Sequence, residues 1–243
     1  GFGSYMTNIG ELKNSGLEIS ISSTNIKTKN FTWTTDFNIT NQSIKVNKLP
    51  GGEDVSYGDG SMYLLREGES MHTFYLPQAT GVDPETGLMQ FWIDPADHSK
   101  GTTPYYSKAG STIVGKAVPD WLGGMTNTFR YKDFDLSFMI SFQSGADMFD
   151  YPGYFLTYSD GWRVGNFNMS KRVAGNYWKK PGDVTEFPRP IYGNPYRSDK
   201  FSSREIISTD NIRMRDITFG WTIPYFKKYI SNLRVYFRAT NPF

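Results

Sequence analysis

Between Gly145 and Glu205 the chain carries Phe149, Tyr151, Tyr154, Phe155, Tyr158, Trp162, Tyr177, Trp178 and Tyr192, with Asp160, Arg163 and Asn166 among them. Flat rings beside amide and charged groups are the material of a sugar or peptide site. The ring supplies a stacking face and a few polar groups orient the ligand. Tyr151, Tyr154, Tyr158, Trp162, Arg163 and Trp178 are therefore the candidate ligand contacts. The same rings could instead pack the segment against itself or against a partner protein.

Other chemistry is poorly supplied. Hydrolysis by paired carboxylates needs two acids about 5–10 Å apart in a cleft, and nothing in the sequence makes the acids converge. There is no Ser/His/Asp constellation, phosphate loop or nucleotide motif, so no enzyme activity is expected. Asp83, Glu85 and Thr86 offer oxygens of the kind calcium takes, but without the spacing of a calcium loop; a Pro/Gly turn capped by acidic side chains accounts for them. His72 and His98 lack metal-site spacing, and the absence of cysteine removes thiolate nucleophiles, Cys-rich zinc sites and disulfides. No metal and no cofactor is expected. With 26 basic and 24 acidic residues interspersed along the chain, nucleic acid is not an expected partner. Arg213 and Arg215, alternating with Met214, read as a solvent-side or lumen-side pair, or as a contact for an acidic partner or a lipid headgroup.

The elements that must position these residues are strands. Phe134, Leu136, Phe138, Ile140 and Phe142 fall on one side of a strand, and Asp135, Ser137, Met139, Ser141 and Gln143 on the other. Similar period-two segments are expected at about 17–26, 31–42, 66–78, 88–94, 123–132, 134–143, 206–222 and 233–241. Tight turns join them at 27–30, 82–87, 132–133 and 224–228, and long polar stretches fill the rest. One of these, about 145–205, runs to about 60 residues.

Connections that alternate short and long are unusual in a compact soluble domain and regular in outer-membrane barrels, which have short periplasmic turns and long extracellular loops. No run of about 18 apolar residues is present, which excludes a helical span but not a barrel. Asp216, Arg234 and Arg238 share the polar side of the last two strands, where charge costs little against water and much in a dry core. Aromatics gather near strand ends, at Tyr131 and Phe134 and again at Trp221, Tyr225, Phe226 and Tyr229, as in an interfacial girdle. Leu17, Ile19, Phe138, Ile140, Phe219 and Val235 are the side chains expected to face lipid.

Four stretches carry a family resemblance. Arg66-Glu67-Gly68-Glu69 leads through Phe74-Tyr75 to Gly81-Val82-Asp83-Pro84-Glu85-Thr86-Gly87. Pro119-Asp120-Trp121-Leu122-Gly123-Gly124 is followed by Asn127, Tyr131-Lys132-Asp133-Phe134-Asp135-Leu136-Ser137 and Gly145. Trp178-Lys179-Lys180-Pro181-Gly182-Asp183-Val184-Thr185 runs on to Pro188-Arg189. Ile212-Arg213-Met214-Arg215-Asp216-Ile217-Thr218-Phe219-Gly220-Trp221 precedes Arg234-Val235-Tyr236 and Asn241.

In order and spacing these resemble the C-terminal part of SusC/RagA-type TonB-linked outer-membrane transporters. The resemblance implies an all-β fold, an antiparallel transmembrane segment of about eight strands from a barrel of about 22. Residues 1–243 would be the C-terminal portion, lacking the plug domain and the final strand. It also implies a SusD-like surface lipoprotein as cap and TonB as the energy relay through the missing N-terminal part. Outer-membrane lipid would surround the barrel, and oligosaccharides or peptides would be the imported ligand. The expected location is the outer membrane of a Gram-negative bacterium.

Two other readings stay open on the residues alone: a self-contained eight-stranded barrel with a structural or adhesive role, and a secreted carbohydrate-binding β-sandwich. On the transporter reading the sheet is open, with unpaired first and last strands, and 145–205 is an extracellular segment that takes part in capping or ligand capture.

Overall fold

The computed structural model describes residues 10–157, 168–224, 230 and 233–242. The chain forms two compact units. One is built from Lys13–Ile44, Val118–Ala146 and the chain from Thr209 onward, the other chiefly from Lys45–Ala117 and Asp147–Ser208.

The first unit is a six-stranded sheet of β1 (Glu11–Lys27), β2 (Phe31–Lys48), β3 (Trp121–Tyr131), β4 (Phe134–Ser144), β5 (Asn211–Thr222) and β6 (Arg234–Thr240). The strands lie in chain order, and each pair from β2 onward is antiparallel. Among the described residues β1 and β6 each keep one unpaired edge, as expected of an open barrel segment and not of a self-closed barrel.

The register separates two faces. Phe31, Trp33, Phe37 and Ile39 of β2 align with Tyr131, Phe129, Met125 and Gly123 of β3. These align in turn with Phe134, Leu136, Ile140 and Phe142 of β4. Rings stack along this face, Trp33 on Phe129 at 5.6 Å and Phe134 on Phe219 at 6.0 Å and on Trp221 at 5.9 Å. On β1, the Ser22 hydroxyl donates to Asp36 Oδ1 at 2.6 Å. That puts Ser22 on the polar face and turns Leu17, Ile19 and Ile21 to the apolar one, where they are exposed. Val235 and Phe219 are exposed on it too, so the six side chains expected to meet lipid share one face.

Asn127 and Thr35 are polar exceptions there. The Asn127 Oδ1 accepts from Trp33 Nε1 and from the Thr35 hydroxyl, both at 2.8 Å, so these polar groups on the apolar face are satisfied within the protein.

β5 holds the faces together through a bulge. Phe138 aligns with Ile217, and beyond Met139 the register shifts so that Ile140 aligns with Met214. Ile212 and Met214 are even-numbered while Ile217, Phe219 and Trp221 are odd. Without an extra residue one group would turn inward. Arg215 is that residue, and its Nε donates to Ser141 Oγ at 2.8 Å on the polar face.

On the polar face two ion pairs tie strands together. Arg234 of β6 donates twice to Asp135 of β4, at 3.1 and 2.6 Å, reaching across β5 at Gly220. Arg238 pairs with Asp216, which also accepts from the Thr218 hydroxyl at 2.9 Å. A Cβ on Gly220 would lie 2.3 Å from the Arg234 guanidinium and 2.6 Å from Asp135. Gly220→Leu is therefore expected to expel the pair. The melting temperature of the folded protein, read as heat-modifiable mobility on gels, should fall by several degrees. Gly124→Leu, at a roomier position 3.1 Å from its nearest neighbour, should change it less.

Two expected strands lie elsewhere. The segment expected at 66–78 supplies Thr73–Pro77, which joins Val55–Tyr57, Tyr63–Leu65 and Ser111–Lys116 in a four-stranded sheet of the second unit. The segment expected at 88–94 supplies Met89–Trp92, the middle of a three-stranded sheet with Ala79–Val82 and Thr102–Thr103. Five and four residues are too few to cross a bilayer, which takes about 9–11. Thr73–Pro77 is buried on both faces, so it has no side for lipid. The segment expected at 206–222 is split: Ile206–Ser208 pairs with Asp147–Phe149, and β5 starts at Asn211. Connections in the six-stranded sheet consequently run short, long, short, long, short.

The second unit has its own core of Met62, Phe74, Leu76, Phe149 and Tyr154, with Phe201 and Ile206 packed on it. The stretch 145–205 is thus no bare loop. It contributes a strand, helix α1 (Tyr151–Thr157) and a 3-10 turn at Ser203–Glu205.

Candidate functional site

A cavity of about 430 Å³ opens in the second unit. α1 forms one wall. Asp150 caps the helix, its Oδ1 accepting from the Gly153 amide at 2.9 Å, while its own amide donates to the Glu205 carbonyl at 2.8 Å. Tyr154, one turn into the helix, faces the cavity from the core.

A second wall is the turn Ser202–Glu205. The Ser202 amide donates to Glu205 Oε2 at 2.9 Å and the Ser202 hydroxyl accepts from the Arg204 amide. This capping box fixes a carboxylate that is almost fully buried. Ser203 Oγ accepts from the Ala79 amide at 3.0 Å, which ties the turn to strand Ala79–Val82. Arg172 and Glu186 pair at the rim, and the Arg172 guanidinium lies 5.8 Å from the centre of the Phe187 ring. The pair is exposed, so it orients groups at the rim more than it stabilises the fold.

Of the six ligand contacts expected from the sequence, Tyr154 lines this cavity. Tyr151 lies on the same helix, but its hydroxyl donates to Asp59 at 2.9 Å and its ring packs 4.7 Å from Phe149. Trp178 lies elsewhere. Its Nε1 donates to the Pro84 carbonyl at 2.7 Å. Its ring covers Gly87, where a Cβ would come within 2.4 Å of it. Trp178 therefore locks the turn Asp83–Gly87 and takes no part in the cavity wall. Tyr158, Trp162 and Arg163, like Asp160 and Asn166, lie outside the described residues.

Asp83 is also committed to that turn. Its Oδ1 accepts from the Glu85 amide at 2.9 Å and its Oδ2 from the Thr86 hydroxyl at 2.7 Å. The Thr86 hydroxyl first and the Glu85 amide second hold its carboxyl below the usual range. The buried Glu205 and Ser202 and the half-buried Ser203 were not among the expected site residues, although Ser-x-x-Glu at 202–205 is a capping-box signature visible in the sequence.

Tyr106 supports the same unit, its hydroxyl donating to the Phe201 carbonyl at 2.7 Å. Burial, reinforced by Glu205, pushes its phenol up to about 12 from 10.0. Burial and then the Asp59 contact push Tyr151 to about 12 as well. A phenol with a raised folded-state pKa stays neutral while the unfolded chain ionises. Its stabilisation is complete below pH 10 and lost as the pH rises toward 12. The second unit should unfold in that window. Absorbance at 295 nm should show tyrosinate appearing together with loss of near-ultraviolet dichroism, and Tyr106→Phe should move the transition upward.

The six-stranded sheet carries a second recess, of about 630 Å³, on its polar face. Arg130, Lys132, Asp135, Asp216, Arg234 and Arg238 surround it. Charge on one face and aromatic side chains on the other is the arrangement of a barrel wall with a wet lumen.

No protein-family model matches the chain. TonB-dependent receptor P3 of Formosa agariphila is 30% identical over 240 residues, covering 92% of the chain and 23% of the receptor. TonB-dependent receptor SusC of Bacteroides thetaiotaomicron is 28% identical over 259 residues, covering 100% of the chain and 24% of that protein. The chain spans about a quarter of the length of these relatives. The structure of the RagAB peptide transporter superposes with a TM-score of 0.82 at 20% identity, over 100% of this chain and 27% of the other. The sheet with its two faces and these matches along almost the whole chain agree: the chain is similar to a segment of TonB-dependent receptors, SusC among them, and shares its fold with part of the RagAB structure.

Proposed function

We propose that the chain is the C-terminal portion of an outer-membrane transporter that imports oligosaccharides or peptides with energy relayed by TonB. A SusD-like surface lipoprotein would cap it. The six-stranded sheet crosses the membrane, its apolar face in lipid and its charged face toward the lumen. The long connections, 145–205 among them, are extracellular and take part in capping or ligand capture, and the short turns face the periplasm. Transport and not catalysis is the task.

The observation that carries this reading is the segregation of side chains across the sheet. Asp135, Arg234, Asp216 and Arg238 pair on one face, while Leu17, Phe219, Val235 and Phe237 stand exposed on the other. In water such an apolar face would drive aggregation; in a membrane it is required. A self-contained barrel is disfavoured by the two unpaired edges. A secreted sandwich is disfavoured by the exposed apolar face.

The test is accumulation of fluorescent oligosaccharides or peptides by cells that carry the full-length receptor, with and without TonB. Uptake that vanishes without TonB is expected. Equal accumulation in both strains would contradict import.

A further inference from the structure

We infer that the polar face of the six-stranded sheet holds a carboxylate-binding site, with Arg215 as its anchor and an anionic solute in the lumen as its ligand. This deepens the import reading and rests on it for the wetness of that face.

The site is a further recess, of about 290 Å³, in the half of the face remote from the Lys132-Asp133 turn. Two rungs of the register build it. In one, Asn38 of β2 aligns with Gly124 of β3, Gly124 with Ser141 of β4, and Ser141 with Arg213 of β5. Gly124 puts no side chain between Asn38 and Ser141, so the floor there is bare. In the next rung Thr40, Leu122, Gln143 and Asn211 align and close one end.

The bulge aims Arg215 into this recess. Arg215 is the inserted residue of β5, and bulges re-aim side chains in this way. Its Nε donates to Ser141 Oγ at 2.8 Å. That bond fixes the guanidinium plane and leaves both Nη groups without a partner among the described residues. Arg213, aligned with Ser141, has no ion-pair partner among the described residues, and both arginines are exposed. No carboxylate lines the recess. Asp36, Asp135 and Asp216 of the same face are held by Ser22, Arg234 and Arg238. Two guanidinium groups on neighbouring positions with no acid between them repel each other, and an anion relieves the repulsion.

The geometry favours a carboxylate. With Nε held by Ser141, the two Nη groups form a fork that matches two carboxylate oxygens in parallel bonds. Asn38 and Thr40, also in the lining, can each add a donor. Gln143 and Asn211 turn their amide N–H groups to the Thr209 carbonyl, at 3.1 and 2.7 Å. Leu122 supplies apolar contact for the carbon that bears the carboxylate.

The experiment follows the ¹⁹F line width of trifluoroacetate in the presence of the purified full-length receptor in detergent, with trifluoroethanol as the neutral control. Wild type should broaden the trifluoroacetate line and not the trifluoroethanol line. Excess acetate should narrow it again, and chloride at equal ionic strength should not. Arg215→Gln should reduce the acetate-sensitive broadening about tenfold, the scale of one hydrogen bond to a charged group. Arg130→Gln, an exposed cation on the same face but outside this recess, should leave it unchanged. Gly124→Leu fills the floor with every charge in place and should also remove the broadening, which keeps the test open if Arg215→Gln does not fold. Full broadening by Arg215→Gln or Gly124→Leu would overturn the inference, as would narrowing by chloride equal to that by acetate. Absence of acetate-sensitive broadening in wild type would overturn it too, since a carboxylate of the receptor itself would then hold the recess. Binding is read without TonB, and TonB-dependent uptake reports separately on import, so failure of the site is distinguishable from failure of the transporter reading.

Discussion

Phe138→Arg is expected to destabilise the folded protein by about 2–4 kcal/mol, the usual cost of a cation at mid-depth on the lipid face of a barrel. Phe138 sits centrally in β4, between Asn127 of β3 and Ile217 of β5, with its ring 6.0 Å from Phe129. On the transporter reading an arginine there would be held among lipid chains and the neighbouring rings. Ser137 is one residue away, aligned with Thr128 and Thr218 on the charged side. Ser137→Arg should be tolerated, because it adds a cation to a face that already bears Asp135 and Asp216. The fraction of full-length receptor that is heat-modifiable in outer-membrane preparations measures both. Equal tolerance at the two positions would count against a lipid-facing apolar side.

Phe74→Ala is expected to cost about 3–5 kcal/mol, the range for removing a buried aromatic ring. Phe74 is 1% exposed and packs with Met62, Leu76, Phe149 and Tyr154. The second unit should then open to protease within 45–117 and 147–208, while the strands of the sheet keep their heat-modifiable folding. Deleting residues 150–200 to test capping would remove Tyr154 from a core shared with Met62 and Phe74. Cargo and cap contacts are better probed by single substitutions at the cavity rim.

The sheet was readable because lipid and lumen impose one simple rule, alternation, on strands long enough to show it. β3 and β4 fall within about two residues of the expected spans, β2 starts at the expected Phe31 but runs on to Lys48, and Lys132-Asp133 forms the expected tight turn. The rule misled where soluble strands share the same period. Thr73–Pro77 and Met89–Trp92 alternate too, but their length betrays them, since a spanning strand needs about twice as many residues. The bulge was also written in the sequence. Arg215 and Asp216 are consecutive polar residues between two apolar runs of opposite parity, which only an inserted residue can reconcile.

The site was less legible. Aromatic residue type marks where rings are, not which way they face. Tyr154 reached the cavity, and Trp178 was drawn to the Pro84 carbonyl some 94 positions away in the chain. The cavity wall at Ala79–Val82 exists only once that strand has paired with Met89–Trp92 and met Ser203, a tertiary fact without a local signature.

The placement of the two ends of the sheet is the most direct measure of the account. The chain contains no cysteine, so single cysteines can be introduced and labelled on intact cells with a membrane-impermeant maleimide. Tyr192→Cys, in the long connection and 82% exposed, should label on intact cells. Lys132→Cys, in the tight turn between β3 and β4, should label only after the outer membrane is permeabilised. Labelling of Lys132→Cys on intact cells, with Tyr192→Cys protected, would contradict a barrel wall whose long connections face outward.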